Sequence, residues 1–247
     1  MKGIILSGGS GSRLSPLTKV TSKQLLPVYD KPMIMYPLET LLKAGIKDIL
    51  IIVAPDHAGD YLKLLGSGRQ FGARFAYEIQ DKPEGLAQAL IIGENFIDGD
   101  SVCMVLGDNI FEDDISAAIK AFRRGAEIFA KKVADPERFG VVKFDDTMKA
   151  QQIVEKPKQF LSEYAVTGLY LYDQRAAMAA KTLKPSPRGE LEITDLNNWY
   201  LQRGELNVDI IQGEWIDAGT FESLYRAGEL IRKKTKDHAD SNERTKK

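Results

Sequence analysis

Four apolar runs of strand length, GIIL at 3–6, DILIIVA at 48–54, FAYEIQ at 75–80 and SVCMVL at 101–106, alternate with stretches of helical periodicity in the N-terminal half. The second and fourth are almost continuously apolar, the pattern of strands covered on both faces rather than on one. Between the first two, a helix is expected to open at Pro32, with Met33, Leu38, Leu41 and Leu42 as its apolar positions and Gly45 as its stop. Residues 85–96 and 113–124 follow the same logic. Strand, helix and strand in series predict a right-handed parallel α/β sheet with helices on its faces.

Beyond about residue 126 the pattern changes. AEIFAKKV, GVVKF, QQIVEKP and AVTGLYLYD are strand-like runs with short connections, so antiparallel pairs are expected. Helical DQRAAMAAKTL and ELEITDLNNWYLQRG follow, then the strand-like ELNVDIIQ and EWIDAGT, and TFESLYRAGELIRKKTK reads as a closing amphipathic helix. DHADSNERTKK is polar and predicts a tail. The simplest organisation is one mixed α/β domain over 1–236, with lobes at about 1–125 and about 126–236, and a tail at 237–247.

Charge narrows the partners. Thirty-four basic and 35 acidic residues leave a formal charge of −1, which provides no bulk attraction for nucleic acid or an anionic membrane. An anion site must therefore be local. No run approaches the roughly 20 apolar residues of a membrane span, and the start of the chain lacks the pattern of a secretory signal. The single Cys103 cannot form an internal disulfide and sits in an apolar run, which fits a reducing cytoplasm. His57 and His238 lie far apart without cysteine or acidic partners at ligand spacing, so zinc is not expected.

A local anion site is suggested by GIILSGGSGSRLSPLT. Gly8, Gly9 and Gly11 follow the first strand and allow a sharp turn with N–H groups pointing one way, while Arg13 and Lys23 add charge. The loop is neither of the common phosphate templates. Leu14 stands where a dinucleotide fingerprint needs its third glycine, and no Gly-Lys-Ser/Thr is present. A tight turn with two solvated cations is the alternative. Asp108 in VLGDN follows an apolar strand, at the end where open α/β sheets bind ligands, although an aspartate there also suits a helix N-cap. Asp217 in WIDAGT follows a similar apolar step. Glu190, Glu192 and Asp195 read as favourable charges at a helix start, and Trp199, Tyr200 and Trp215 as packing residues.

The segment GIILSGGSGSRLSPLT with SKQLLPVYDKPMI resembles the signature of the sugar-1-phosphate nucleotidylyltransferases. QDKPEGLAQAL, VLGDNIF, DPERFGVV, VEKPK, YAVTGLYLYD, RGELEITDLNNWYL and WIDAGT continue that resemblance in order. The set is most similar to the glucose-1-phosphate thymidylyltransferases. The resemblance implies a mixed, mostly parallel Rossmann-like sheet flanked by helices, the nucleotidyltransferase fold, with a smaller sugar-binding lobe. It also implies transfer of a nucleotidyl group from dTTP, or UTP, to glucose 1-phosphate with Mg²⁺, by a cytoplasmic homo-oligomer. Glycosyl transfer and non-catalytic binding of a sugar nucleotide are the competing readings.

The same resemblance assigns residues. Arg13, Lys23 and Asp108 become catalytic, with Asp108 and Asp217 holding the metal. Leu6, Gly8, Gly9, Gly11, Ser12, Arg13, Lys23, Gln24, Gln80 and Gly85 would meet the nucleotide. Asn109, Gly140, Glu155, Lys156, Val166, Tyr170 and Arg188 would meet the sugar phosphate. Ser12 stands where relatives often have threonine, which keeps the hydroxyl. Longer relatives carry additional C-terminal helices, so feedback control and assembly are left open.

Overall fold

The computed structural model describes residues 1–244, with side chains as far as residue 236. In chain order, β1 (Lys2–Ser7) leads through a glycine-rich loop to the hairpin β2 (Pro27–Val28) and β3 (Lys31–Pro32). Then come α1 (Met35–Lys43), β4 (Asp48–Val53), α2 (Ala58–Leu65), β5 (Arg74–Ile79), α3 (Gln88–Ile92), α4 (Glu94–Ile97) and β6 (Val102–Leu106). The second half supplies β7 (Asn109–Phe111), α5 (Ser116–Ala121), β8 (Ala126–Lys132), β9 (Gly140–Phe144), β10 (Ala150–Glu155) and β11 (Tyr164–Tyr172). It closes with α6 (Ala176–Lys181), α7 (Ile193–Leu201), β12 (Leu206–Ile210), β13 (Trp215–Asp217) and α8 (Phe221–Arg244).

The described residues form one nine-stranded sheet with the path β10-β9-β11-β6-β1-β4-β5, β8 lying on β11 and β12 on β8. β6, β1, β4 and β5 are parallel, as the alternating pattern requires. From β11 onward the sheet is mixed: β11 is antiparallel to β6, β8 and β9, whereas the edge strand β12 is parallel to β8. Core lies on both faces of the central strands. Ile4, Leu50 and Ile52 pack toward Leu90, Ala179 and Leu196, while Ile5, Ile49 and Ile51 pack toward Leu38, Leu41 and Tyr61. Burying each such side chain contributes about 1.5–3 kcal/mol. Cys103 is in this core, and burial pushes its thiol well above the ordinary range.

Some element starts differ from the periodicity. Pro32 is not in a first helical turn; it pairs with Pro27 across the β2–β3 hairpin. The N–H groups of Met33 and Ile34 bond back to the carbonyls of Leu26 and Gln24, at 2.9 and 2.8 Å, so that backbone is already committed. The helix starts at Met35, and Pro37 occupies its first turn, where a missing N–H costs nothing. The helix expected over 85–96 is two short ones flanking Gly93, which packs close to the tips of Ile4 and Leu50. The helix over 113–124 shortens to Ser116–Ala121.

Two small elements complete the frame. β13 runs antiparallel to β7, with Asp217 opposite Asn109, and α8 covers this pair and the β2–β3 hairpin through Leu224, Ala227 and Ile231. The backbone of α8 remains helical through Arg244, beyond the point where the sequence suggests a polar tail, and 245–247 lie outside the described residues. No helix of the described residues is long and apolar enough to cross a membrane.

Candidate active site

A cleft of about 480 Å³ opens at the carboxyl ends of β1 and β6, between the parallel strands and the antiparallel half. Its first wall is the loop after β1. Gly11 takes φ 63°, a left-handed conformation that glycine adopts without cost, and Ser12–Leu14 then form a 3-10 turn. The amide N–H groups from Gly9 to Ser12 have no acceptor among the described residues. A run of free N–H groups is the arrangement that holds phosphate. Gly9 and Arg13 line the cleft, and no carboxylate among the described residues lies within ion-pair distance of Arg13. Gly8, Gly11 and Ser12 do not line it; they shape the loop. A Cβ on Gly8 would fall 2.0 Å from Gln80 Oε1, so glycine there lets that carbonyl approach.

Behind the loop sit the charged groups. Lys23 forms an ion pair with Asp108, which the end of β6 delivers into the cleft. Burial raises the Asp108 carboxyl, but the Lys23 ammonium and the Asn109 amide, which donates to Asp108 Oδ1 at 3.0 Å, outweigh it and hold it below the ordinary value. Asn109 is itself pinned: its Oδ1 accepts from the Gly168 N–H at 3.0 Å and from the Trp215 indole N–H at 2.7 Å. Its side chain is thereby engaged with protein groups and aims Asp108. Asp217 arrives from β13 because Ala218 N–H bonds to the Asp108 carbonyl at 2.9 Å.

Asp217 is the most distorted acid of the site. Burial first, then the neighbouring Asp108 charge, push its carboxyl up to about 6, and its Oδ1 is buried without a hydrogen-bond partner. A Cβ on Gly219 would lie 2.6 Å from Arg13 Nη2 and 2.8 Å from Asp217 Oδ1, so both groups crowd the same point. Two carboxylates with an orphaned oxygen fit a hard divalent cation, which takes oxygen ligands. Among the described residues no cluster of three metal-ligating side chains occurs; a cation that keeps water and phosphate ligands needs only one or two carboxylates.

The second wall comes from the antiparallel half. β11 breaks its register with β8 between Val166 and Tyr170, and this irregularity presents Val166, Thr167 and Gly168 to the cleft. Glu155, at the end of β10, accepts from Thr194 Oγ1 at 2.7 Å and from Arg188 Nη2 at 3.3 Å. Arg188 is itself held by Glu192 at 2.9 Å and lies near Glu190 at 3.4 Å, so its charge is matched within the protein. Lys156 sits at φ 44°, a conformation rare outside glycine. Gly140, close to Thr194 and Glu155, and Tyr170 also line this wall.

Leu6, Gln24, Gln80 and Gly85, expected from the sequence to meet the nucleotide, line the far end. Gly85, at φ 109°, lies against the Leu191 backbone, where a Cβ would come within 2.4 Å of the carbonyl oxygen. Two backbone bonds bracket the contact: Leu191 N–H to the Glu84 carbonyl at 2.7 Å and Ala87 N–H to the Leu191 carbonyl at 3.1 Å. This stitch joins the two walls directly.

The structure also brings in residues not singled out from the sequence. Arg138 and Phe139 line the cleft, the Phe139 ring 5.1 Å from Trp215, and Arg138 exerts its charge on Asp217. Their signal was the DPERFGVV match alone. Trp215, expected to pack, does pack and lines the cleft as well.

The cleft gathers an amide loop, two cations and two carboxylates, groups suited to phosphate, and the nucleotidyl transferase family model matches residues 2–234; the chain belongs to that family. It is 55% identical over 237 residues to the glucose-1-phosphate thymidylyltransferase of Neisseria meningitidis serogroup A, covering 94% of this chain and 82% of that one. Its identity to the glucose-1-phosphate thymidylyltransferase of Mycobacterium tuberculosis is 50% with the same coverage. The structure superposes with a TM-score of 0.90 on a candidate glucose-1-phosphate thymidylyltransferase of Bacillus anthracis crystallised with sucrose, 52% identical and covering 94% of this chain and 95% of that one. A UDP-glucose pyrophosphorylase bound to UDP-glucose shares the fold at a TM-score of 0.83 and 24% identity, covering 94% of this chain and 98% of that one.

Proposed function

We propose that this protein transfers a thymidylyl group from dTTP to glucose 1-phosphate, giving dTDP-glucose and pyrophosphate. The observation that carries this reading is the Asp217 carboxylate, buried beside Asp108 and flanked by Lys23 and Arg13, next to a loop of unbonded amides. The nucleophile, a phosphate oxygen of the sugar phosphate, is already an anion. No general base is required, and catalysis reduces to alignment and charge stabilisation. As that oxygen bonds to the α-phosphorus, the bond to the departing pyrophosphate oxygen breaks in line.

The chain's groups divide these tasks. The Gly9–Ser12 amides bind the triphosphate, and Arg13 neutralises charge gathering on the leaving pyrophosphate. Lys23 reaches the α-phosphate side while restraining Asp108. Asp108 and Asp217 would hold Mg²⁺, which would supply positive charge to offset that of the phosphates. Glu155, oriented by Thr194, accepts sugar hydroxyls, with Lys156, Gly140, Val166 and Tyr170 around the hexose. In this reading 1–236 form one catalytic domain of two lobes. The protein acts in the cytoplasm, consistent with its unpaired Cys103, as a homo-oligomer, with exposed Phe221 and Tyr225 on α8 as a surface for contact.

The test is pyrophosphate release from purified protein with Mg²⁺ and glucose 1-phosphate, with dTTP, UTP, dCTP, ATP and GTP offered separately. Release is expected with dTTP, and to a lesser degree with UTP, because one methyl is worth only about 1–3 kcal/mol. Silence with all five overturns the assignment.

A further inference from the structure

At the far end of the cleft, three side chains form a chain of hydrogen bonds whose direction is fixed by chemistry. The Glu84 carboxylate can only accept and its backbone N–H can only donate. Gln88 meets both: its Nε2 donates to Glu84 Oε2 at 2.9 Å, and its Oε1 accepts from the Glu84 N–H at 3.1 Å. The amide of Gln88 therefore has one orientation. Its Oε1 also faces Gln80, whose Nε2 donates to it at 2.6 Å. Reversing Gln80 would set two carbonyl oxygens against each other, so the polarity imposed at Glu84 passes through Gln88 to Gln80.

Gln80 is 3% exposed and lines the cleft. With its Nε2 turned to Gln88, its Oε1 projects over Gly8, in the space a Cβ on that glycine would occupy, and no donor among the described residues bonds it. The cleft thus offers a fixed acceptor beside the glycine loop.

We propose that Gln88, set by Glu84, is a positioning residue for base specificity: it holds the Gln80 carbonyl toward the ligand, so the site selects a pyrimidine carrying a ring N–H, thymine or uracil, against cytosine. This rests on the thymidylyl-transfer reading above. Thymine and uracil present an N3–H donor flanked by carbonyls, while cytosine presents an unprotonated N3 and an amino group. An acceptor facing an acceptor is left unpaired, which is how a polar site rejects a wrong ligand. The glutamine amide itself is indifferent to the choice, since one rotation exchanges its donor and acceptor. Discrimination therefore lies in what prevents the rotation.

The experiment compares kcat/KM for dTTP and dCTP in wild type, the double variant Glu84→Gln/Gln88→Glu and Gln88→Lys. Glutamate at 88 only accepts, and glutamine at 84 supplies the donor its carboxylate needs, so Gln80 keeps its orientation and the dTTP:dCTP ratio is expected to stay within about threefold of wild type. Lysine only donates, so Gln80 reverses and the ratio is expected to fall by at least about tenfold, from loss with dTTP and gain with dCTP. General loosening of the loop lowers both substrates together and leaves the ratio in place. An unchanged ratio in Gln88→Lys with intact pyrophosphate release, or an equal fall in Glu84→Gln/Gln88→Glu, overturns the proposal alone. Absence of release from wild type with every triphosphate overturns the functional reading and the proposal with it.

Discussion

The two walls of the cleft match their charges to different degrees. On the β1 and β13 side, Arg13 has no carboxylate partner among the described residues, the Gly9–Ser12 amides lack acceptors, and Asp217 keeps a buried oxygen unpaired. On the β10 and β11 side, Glu155 is held by Thr194 and Arg188, and Arg188 is closed by Glu192. In the proposed reading, the first wall is completed by the phosphates and the cation. On the second the carboxylate and guanidinium are matched within the protein, while the Thr167 hydroxyl stays buried without a partner. In the proposed reading, unmatched polarity marks where charge moves during the reaction, and matched polarity marks where the sugar is read.

Breaking the first wall has the largest consequence. Arg13→Ala is expected to lower turnover about 10²–10³-fold, roughly 3–4 kcal/mol of transition-state stabilisation, with an unchanged Tm because the side chain is exposed and unpaired. Steady-state kinetics beside a thermal melt checks both halves, and a fall in Tm of the same rank as the loss in rate defeats the contrast. A milder break is Gly219→Ala, whose methyl would sit 2.6 Å from Arg13 Nη2 and 2.8 Å from Asp217 Oδ1. Displacement of either group is expected to cost about 10–100-fold in kcat, read as a smaller effect than removal of Arg13.

The second wall yields a gentler outcome. Thr194→Val removes the hydroxyl that donates to Glu155 Oε2 at 2.7 Å, so KM for the sugar phosphate is expected to rise about five- to tenfold, near 1 kcal/mol, with kcat nearly constant. A fall in kcat alone would place Glu155 with the charge-moving wall instead. The smallest effect on rate is expected outside both walls, at Glu127 on β8. Burial, then the hydrogen bond and charge of Asp209, push its carboxyl up to about 7. The folded protein therefore holds a proton that the unfolded chain releases above about 4.5, and this group's favourable contribution is lost as pH rises through 7. Glu127→Gln is expected to stabilise by about 1–3 kcal/mol at pH 8, with the gain gone by about pH 4.5 and activity unaltered; denaturant titrations at the two pH values decide.

The legible and illegible parts of the molecule divide along similar lines. Ile49–Val53 and Val102–Val105 reveal their strands because both faces are buried and no other pattern competes. Asp108 was visible for the same reason, being the first acid after such a strand. Pro32 misled because the fate of the next two N–H groups is decided by Gln24 and Leu26, a hairpin contact that periodicity does not carry. The setting of Asn109 was hidden further still, since its partners Gly168 and Trp215 are 59 and 106 positions away. Thr194 and Arg138 likewise acquire meaning only when the antiparallel half folds over the cleft. Glu84 and Gln88 lie within a motif that the sequence displayed plainly, yet the direction of their hydrogen bonds belongs to the rotamers.

The stitch between Glu84, Ala87 and Leu191 also bears on motion. Because two peptide hydrogen bonds tie the walls together beside Gly85, any wide opening that separates them there must first unzip both. Ligand exchange by hinging is thereby directed to the opposite rim, and in deuterium-exchange terms the amides of Ala87 and Leu191 form one protected unit that exposes itself to solvent together.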